Sequence, residues 1–234
     1  FDNAKTLRLS RWGVVPIENS DAGTVWPVQE RLGAGGFCIL GELVLPVRFK
    51  LLSKVAPSAV RVVYVQAVAQ QQCSRFLDSQ LPSARVELTA SNTAAAALAL
   101  DAQAAEGVAV VVPESLPVPA DLVVAHHLQN SEENSTRFWV VRAFAGDVRS
   151  LVEPGRQKLS LLMSPEQDRP GLLCDMLSVL RRHELNLSRI ESRPSRRRPW
   201  TYCFYLDLSN GAEARAAVEA LLASLRLAPG DIDV

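Results

Sequence analysis

The run Asn134-Ser135-Thr136-Arg137-Phe138 sets a hydroxyl beside a guanidinium, just after Glu132-Glu133 and just before the apolar Trp139-Val140-Val141. An alcohol and a permanent cation at the mouth of a buried strand can face a bound anion, the alcohol donating a hydrogen bond and the arginine gripping a carboxylate with two. Two further segments carry polar groups in similar settings, Val14-Val15-Pro16-Ile17-Glu18-Asn19-Ser20 and Ile190-Glu191-Ser192-Arg193-Pro194. In the first, a carboxylate, an amide and a hydroxyl close an apolar run. Histidine is the usual acid–base side chain near neutral pH, but none of His126, His127 and His183 has a Ser, Cys or metal-ligand partner at a recognisable spacing. Surface or capping roles are expected for them, and no metal site. Gly33-Ala34-Gly35-Gly36 lacks the Lys and Ser/Thr of a phosphate loop and reads as a flexible turn.

The elements that must position these groups belong to a chain of 234 residues, 48% hydrophobic, with 25 basic and 25 acidic side chains and a formal net charge of zero. Neither disorder nor a nucleic-acid footprint fits that balance. The length suits one larger and one smaller domain. Lysine occurs only at 5, 50, 54 and 158, so basic charge is almost wholly arginine. Cys38, Cys73, Cys174 and Cys203 are far apart, show no CxxC pairing and lie in apolar surroundings, which predicts free thiols in a reducing compartment. The longest apolar runs, 107–112 and 122–125, are too short to span a bilayer. A soluble cytoplasmic protein without metal or cofactor, nucleic acid or membrane is expected. No charged and apolar leader follows Phe1, so no signal peptide is expected, and the chain reads as a fragment or a processed form.

Strand-like runs fall at 13–17, 38–47, 60–65, 85–88, 108–112, 122–124 and 138–143, several continuously apolar and β-branched, as strands covered on both faces are. Between them 67–77 and 93–105 read as helices, the second behind an N-cap cluster Ser91-Asn92-Thr93. Pro113, Pro117 and Pro119 exclude a regular helix over 113–121. Turn residues over 145–157 place a domain boundary there, giving domains 1–147 and 156–234. The second domain reads as a strand from Lys158 to Met163, then Asp168-Arg169-Pro170 as the N-cap and start of a helix whose stripe is Leu173, Met176, Leu177 and Leu180. Strands at 186–192 and 200–208 follow across the basic loop 193–199, then a helix at 211–225 and a last strand near 231–234. That order describes a ferredoxin-like α+β domain. Arg196-Arg197-Arg198 reads as a solvated hairpin tip.

Taken together these segments resemble the prephenate dehydratase family over nearly the whole chain. Residues 14–20 match its V-P-I-E-N-S segment, Gly23-Thr24-Val25 its continuation, Gly41-Glu42 its G-E strand, and Thr136-Arg137-Phe138 its T-R-F motif. Residues 158–234 resemble an ACT domain, with Gly171-Leu172-Leu173-Cys174 at the G-A-L site and an intact Glu191-Ser192-Arg193-Pro194. The family's S-H-P-Q-A-L-A-Q-C run stands here as 65–73 without its His-Pro-Gln core, and its opening Gly-Pro-x-Gly-Thr turn is not in this chain.

The resemblance implies an α/β, two-lobed, periplasmic-binding-protein-like catalytic domain with an incomplete first lobe, followed by a ferredoxin-like ACT domain. It implies decarboxylating dehydration of prephenate to phenylpyruvate in L-phenylalanine biosynthesis, with Thr136 as proton donor. Asn19, Ser20 and Thr93 would form the polar surround of Thr136 and, with Glu18, Arg137 and Phe138, bind the substrate. Glu18 has a structural role as its alternative, and Arg137 a salt bridge to Glu18, Glu132 or Glu133. L-phenylalanine would be the effector, bound where ACT domains of a homodimer or tetramer meet. Gly171, Leu172, Leu173, Asn186, Glu191, Ser192, Arg193 and Pro194 would form that site, with pairing of Glu191 and Arg193 across the dimer sheet as the alternative. Two other functions remain open at this point: arogenate as substrate, and a catalytically inactive amino-acid-sensing module.

Overall fold

β-branched runs bounded by turn residues become strands wherever both faces can be covered, and the computed structural model shows that for residues 12–100, 106–144, 158–165, 169–195, 199–209 and 232–233, the described part of the chain. The strands are β1 Gly13–Asn19, β2 Gly23–Thr24, β3 Phe37–Pro46, β4 Phe49–Ser53, β5 Val62–Gln66, β6 Arg85–Thr89, β7 Val108–Pro113, β8 Val123–His126 and β9 Ser135–Ala143. The helices among them are α1 Trp26–Gly33, α2 Ala67–Gln72, α3 Ser74–Gln80 and α4 Asn92–Leu100. The C-terminal elements are β10 Lys158–Met163, α5 Leu172–Arg182, β11 Asn186–Pro194, β12 Tyr202–Ser209 and β13 Ile232–Asp233. By contacts the chain divides into two units, one of Val14–Trp26 with Gly41–Val140, the other of Phe1–Gly13, Pro27–Leu40 and Val141–Val234. The boundary predicted at 145–157 and the helix predicted at 211–225 lie outside the described residues, as do Asp168 and Arg196-Arg197-Arg198.

The first of these units holds a five-stranded sheet in the order β6-β5-β7-β4-β8, in which β6, β5 and β7 run parallel. Alternate residues of its central strands face opposite sides. Leu51, Val63, Val65, Ala109 and Val111 pack with Ala69, Cys73 and Leu77 of α2 and α3, whereas Leu52, Val110 and Val112 pack with Ala95, Ala96 and Ala99 of α4. Helices on both faces explain why these strands are apolar throughout. The single helix expected over 67–77 is broken at Cys73, whose φ of −116° and ψ of 13° are not helical. Asn130 supports the break, its Oδ1 accepting from the Arg75 N–H at 3.0 Å and its Nδ2 donating to the Gln71 carbonyl at 2.9 Å. Strand β4 was not foreseen. All five of its residues are buried, Lys50 included, because Lys50 Nζ donates to the carbonyls of Glu114 and Leu116 at 3.1 and 2.8 Å.

A second sheet has the order β2-β1-β9-β3. β9 opens at Ser135, three residues before the predicted start. Thr136 and Arg137 are therefore successive strand residues rather than neighbours at a strand mouth, and successive strand side chains point to opposite faces.

The third sheet, β11-β12-β10-β13, is antiparallel at each junction and has the strand order of a ferredoxin-like domain. α5 covers one face. Leu172, Met176, Val179 and Leu180 are its buried residues, with the predicted Leu173 and Leu177 partly buried beside them, against Leu159, Leu161, Met163, Leu206 and Leu208. Its N-cap is Gly171 at φ +82°, a left-handed conformation that costs glycine little. On the opposite face lies α1, also unforeseen. A Cβ added to Gly33 would stand 3.1 Å from Leu162 and 3.2 Å from the Tyr205 ring, so the helix end meets the sheet closely. The turn expected at 33–36 begins only after that contact.

Among the described residues no helix is long and apolar enough to cross a membrane. All four cysteines are free thiols, Cys38, Cys73 and Cys203 buried and Cys174 exposed. Burial pushes the Cys73 thiol up to about 12 and raises that of Cys203 as well. Thiolate is the reactive form. In the native protein at pH 8, a thiol-specific reagent should therefore label Cys174 rapidly and the three buried cysteines only after unfolding; fast labelling of Cys73 in a Cys174→Ser variant would contradict this packing.

Candidate active site

β1 ends in a polar turn, and Asn19 controls it. Asn19 Oδ1 accepts from the N–H groups of Asp21 and Ala22 at 3.0 and 2.8 Å, bending the chain from β1 into β2. That side-chain-to-backbone pattern is the reason Asn is favoured at turns. Because the oxygen is fixed there, the Asn19 amide nitrogen must face β9. It donates to Asn134 Oδ1 at 2.8 Å, to the Ser135 carbonyl at 3.1 Å and to Thr136 Oγ1 at 3.1 Å. Ser20 closes the same corner, its backbone N–H donating to the Ser135 carbonyl at 2.9 Å and its Oγ accepting from the Ser135 N–H at 3.0 Å. Thr136 thus receives a hydrogen bond on oxygen and keeps its own proton available to donate. An N–H directed at that oxygen stabilises the negative charge that forms when the proton leaves.

Glu18 and Arg137, one residue away on each strand, make a separate arrangement. Arg137 Nη2 stands 2.8 Å from Glu18 Oε2 and Nη1 stands 3.5 Å from Glu42 Oε2 on β3. Its guanidinium also lies 6.0 Å over the Trp139 ring. Two carboxylates around one guanidinium sum to a single negative charge. Arg137 pairs with Glu18, one of the salt-bridge partners expected for it, and Glu42 joins the pair. Phe138, half-buried, returns to the face of Thr136. Thr93 is exposed in the first turn of α4, where Ser91 Oγ accepts from the Ala94 N–H at 3.1 Å. Among the described residues no hydrogen bond joins it to Asn19, Asn134 or Thr136. Asn134 and Glu42 were not foreseen as site residues. The signal for both was adjacency, Asn134 two residues before Thr136 and Glu42 in the quoted Gly41-Glu42 pair.

In the C-terminal unit, a β-bulge between Leu187 and Arg189 decides which residues β11 shows to which face. Beyond it Arg189, Glu191 and Arg193 lie opposite Asp207, Tyr205 and Cys203, on the side of the sheet away from α5. Arg189 is the centre of a polar cluster, with its Nη2 3.0 Å from Glu191 Oε1 and 3.2 Å from Gln29 Oε1 of α1, and its Nη1 3.4 Å from Asp207. Arg193 Nη2 is 3.9 Å from Glu30, also on α1. Ser192 and Pro194 are exposed on the alternate positions, and Leu172 and Leu173 pack into the core with α5 rather than standing at the surface. Asn186 Nδ2 donates to Ser209 Oγ at 2.8 Å, at the far end of β11 from Glu191.

A family model described as prephenate dehydratase matches residues 4–144, and one described as ACT domain matches residues 167–225. The chain belongs to the prephenate dehydratase family. A bifunctional chorismate mutase/prephenate dehydratase of Aquifex aeolicus (strain VF5) is 34% identical over 223 residues, covering 94% of this chain and 59% of that protein. The chain so spans little more than half the length of that curated relative. Among solved structures, the prephenate dehydratase of Staphylococcus aureus subsp. aureus Mu50 superposes with a TM-score of 0.77 at 24% identity, over 100% of this chain and 84% of its own. A prephenate dehydratase of Arthrobacter aurescens in complex with L-Phe gives a TM-score of 0.76 at 25% identity, over 96% of this chain and 75% of its own. The fold is that of these prephenate dehydratases, α/β of the periplasmic-binding-protein type with an ACT domain following.

The Glu18–Arg137–Glu42 cluster is mostly shielded, with side-chain exposures of 34%, 16% and 24%. Removing the cation leaves two carboxylates facing one another. Arg137→Met should cost about 1–3 kcal/mol of stability at pH 7, whereas Glu42→Gln should cost less because Glu18 still neutralises the guanidinium. Urea unfolding of the two variants against wild type checks the order; equal losses would contradict it.

Proposed function

We propose that this chain catalyses the decarboxylating dehydration of prephenate to phenylpyruvate, a carbon–oxygen lyase reaction in L-phenylalanine biosynthesis, with Thr136 as the proton donor. The observation that carries the proposal is the Asn19 amide at 3.1 Å from Thr136 Oγ1, which joins the V-P-I-E-N-S and T-R-F segments in one hydrogen bond. In the reaction the bond from the ring to its carboxylate breaks to release carbon dioxide. Its electrons complete the aromatic ring and expel the ring hydroxyl. Thr136 gives its proton to that hydroxyl, which leaves as water, and recovers one from solvent. The Asn19 N–H holds the charge on Thr136 oxygen meanwhile. General acid help of this kind is worth roughly 10²–10⁴ in rate.

The faces of β9 divide the remaining roles. A substrate at Thr136 meets Asn19 and Phe138, with Ser20 shaping the corner and Thr93 a further polar contact from α4. Glu18 and Arg137 act from the other face, where Arg137 is held by two carboxylates and steadies the strands. This assigns Arg137 to positioning rather than to a substrate carboxylate.

The ACT domain supplies control by L-phenylalanine. The Arthrobacter aurescens relative was solved with that amino acid, and this chain carries the Gly171 helix start and the Glu191-Ser192-Arg193-Pro194 strand in the same kind of domain. Gly171 to Leu173, Asn186 and Glu191 to Pro194 are the proposed effector contacts. β11 is an edge strand nine residues long, which suits pairing with a second copy to form a homo-oligomer. Arg189 and Arg193 touch α1, so an effector that competes for Glu191 changes what holds that helix. Four free thiols fit a cytoplasmic setting.

The test is phenylpyruvate formation from prephenate, with arogenate as the competing substrate. Thr136→Val should lower kcat by about 10²–10⁴; a variant as active as wild type would remove Thr136 from the mechanism. L-phenylalanine should inhibit the wild type, and Glu191→Ala and Arg193→Ala should keep turnover while losing inhibition. A chain that binds L-phenylalanine and converts neither substrate would instead be a sensing module.

A further inference from the structure

We propose that Asn134 is a positioning residue for proton transfer by Thr136, an inference that rests on the dehydratase reading above. Its side chain is one of two anchors of the Asn19 amide: the turn N–H groups hold the oxygen, and Asn134 holds the nitrogen. Asn134 is 1% exposed, and its Oδ1 accepts from Asn19 Nδ2 at 2.8 Å across 115 residues of sequence. Its backbone is held too, the carbonyl accepting from the Val47 N–H at 2.8 Å and the N–H donating to the Ser131 carbonyl at 3.4 Å.

The orientations follow one from another. The N–H groups of Asp21 and Ala22 fix the Asn19 oxygen, so the Asn19 nitrogen faces β9; that nitrogen in turn requires an oxygen, not a nitrogen, from Asn134. Asn134 Nδ2 is then turned away, and it is buried without a hydrogen-bond partner among the described residues. An unpaired buried donor destabilises a fold, and an apolar side chain of similar shape would remove it. Stability does not explain an amide here. What the position needs is an acceptor without charge. Aspartate would accept equally well but would put a negative charge beside a dianionic substrate, and serine is too short to reach. An amide meets the requirement, and its idle NH₂ is the consequence.

The third partner shows what the aim accomplishes. A single nitrogen carries two protons, and Asn19 Nδ2 serves Asn134 Oδ1, the Ser135 carbonyl and Thr136 Oγ1. With one proton drawn to Asn134, the other is directed between the Ser135 carbonyl and the threonine oxygen. Without Asn134 the Asn19 oxygen stays tied to the turn, but its NH₂ loses the acceptor that fixes one proton, and the second is no longer held on the threonine oxygen that it stabilises on deprotonation. Direct substrate contact is not lost, because the Asn134 side chain is buried and bonded to Asn19.

Steady-state kinetics on prephenate with wild type, Asn134→Leu and Asn134→Asp test this. Asn134→Leu should lower kcat at least tenfold and leave KM within threefold. Asn134→Asp restores the acceptor but titrates, so its kcat should be highest where the new carboxyl is protonated and fall as it ionises, a limb absent from the wild-type profile. Wild-type kcat in Asn134→Leu, a loss carried by KM alone, or a wild-type pH profile in Asn134→Asp would each overturn the proposal. If Asn134→Leu does not fold, the Asn134→Asp profile decides. Failure of the wild type to convert prephenate would instead sink the dehydratase reading, and this proposal with it.

Discussion

One amide bridges a turn and a hydroxyl, and the geometry of the proposed site depends on it. Asn19 spends its oxygen on the backbone of the turn that follows β1 and its nitrogen on the first residues of β9. Either half alone is ordinary. Joined, they make the orientation of a threonine side chain a consequence of backbone structure 117 residues away. A threonine hydroxyl is a poor acid in water, so its use requires a surround that favours the alkoxide at the moment it forms. A rotatable amide cannot provide that. An amide whose oxygen already serves two backbone N–H groups can, because turning it would strand both.

Arg137 shows the same economy on the other face of the strand. A guanidinium next in sequence to the proposed proton donor looks available to a substrate, but strand geometry sends it the other way, and Glu18 and Glu42 occupy its fork. Three strands of one sheet, β1, β9 and β3, are thereby cross-linked by charge immediately behind the site. Pre-organisation of this sort keeps the reacting groups from having to be ordered by substrate binding.

The polar groups were legible in the sequence; their partition between faces was not. Thr136, Arg137, Glu18 and Asn19 were identified by type and neighbourhood, yet the decisive fact is that β9 begins at Ser135, and strand limits are poorly marked by composition. β4 was hidden because Lys50 interrupts its apolar run, and nothing local shows that a lysine will be buried by two carbonyls contributed from beyond β7. α1 was hidden for a related reason. Its neighbours are residues of the ACT sheet, more than a hundred positions on, and its own pattern is weak. The break at Cys73 depends on Asn130, again a distant residue. Motifs report local chemistry well; long-range pairings set where that chemistry points.

The bulge in β11 carries that argument into the ACT domain. Were 187–189 a regular strand with no bulge, alternation would put Arg189 on the face of Leu187, against the α5 core, where a guanidinium would have no acceptors. With the bulge, Arg189, Glu191 and Arg193 turn together towards α1, and Gln29 and Glu30 meet them. α1 begins two residues after β2, whose turn Asn19 forms. Residues of β11 therefore hold α1 against the ACT sheet.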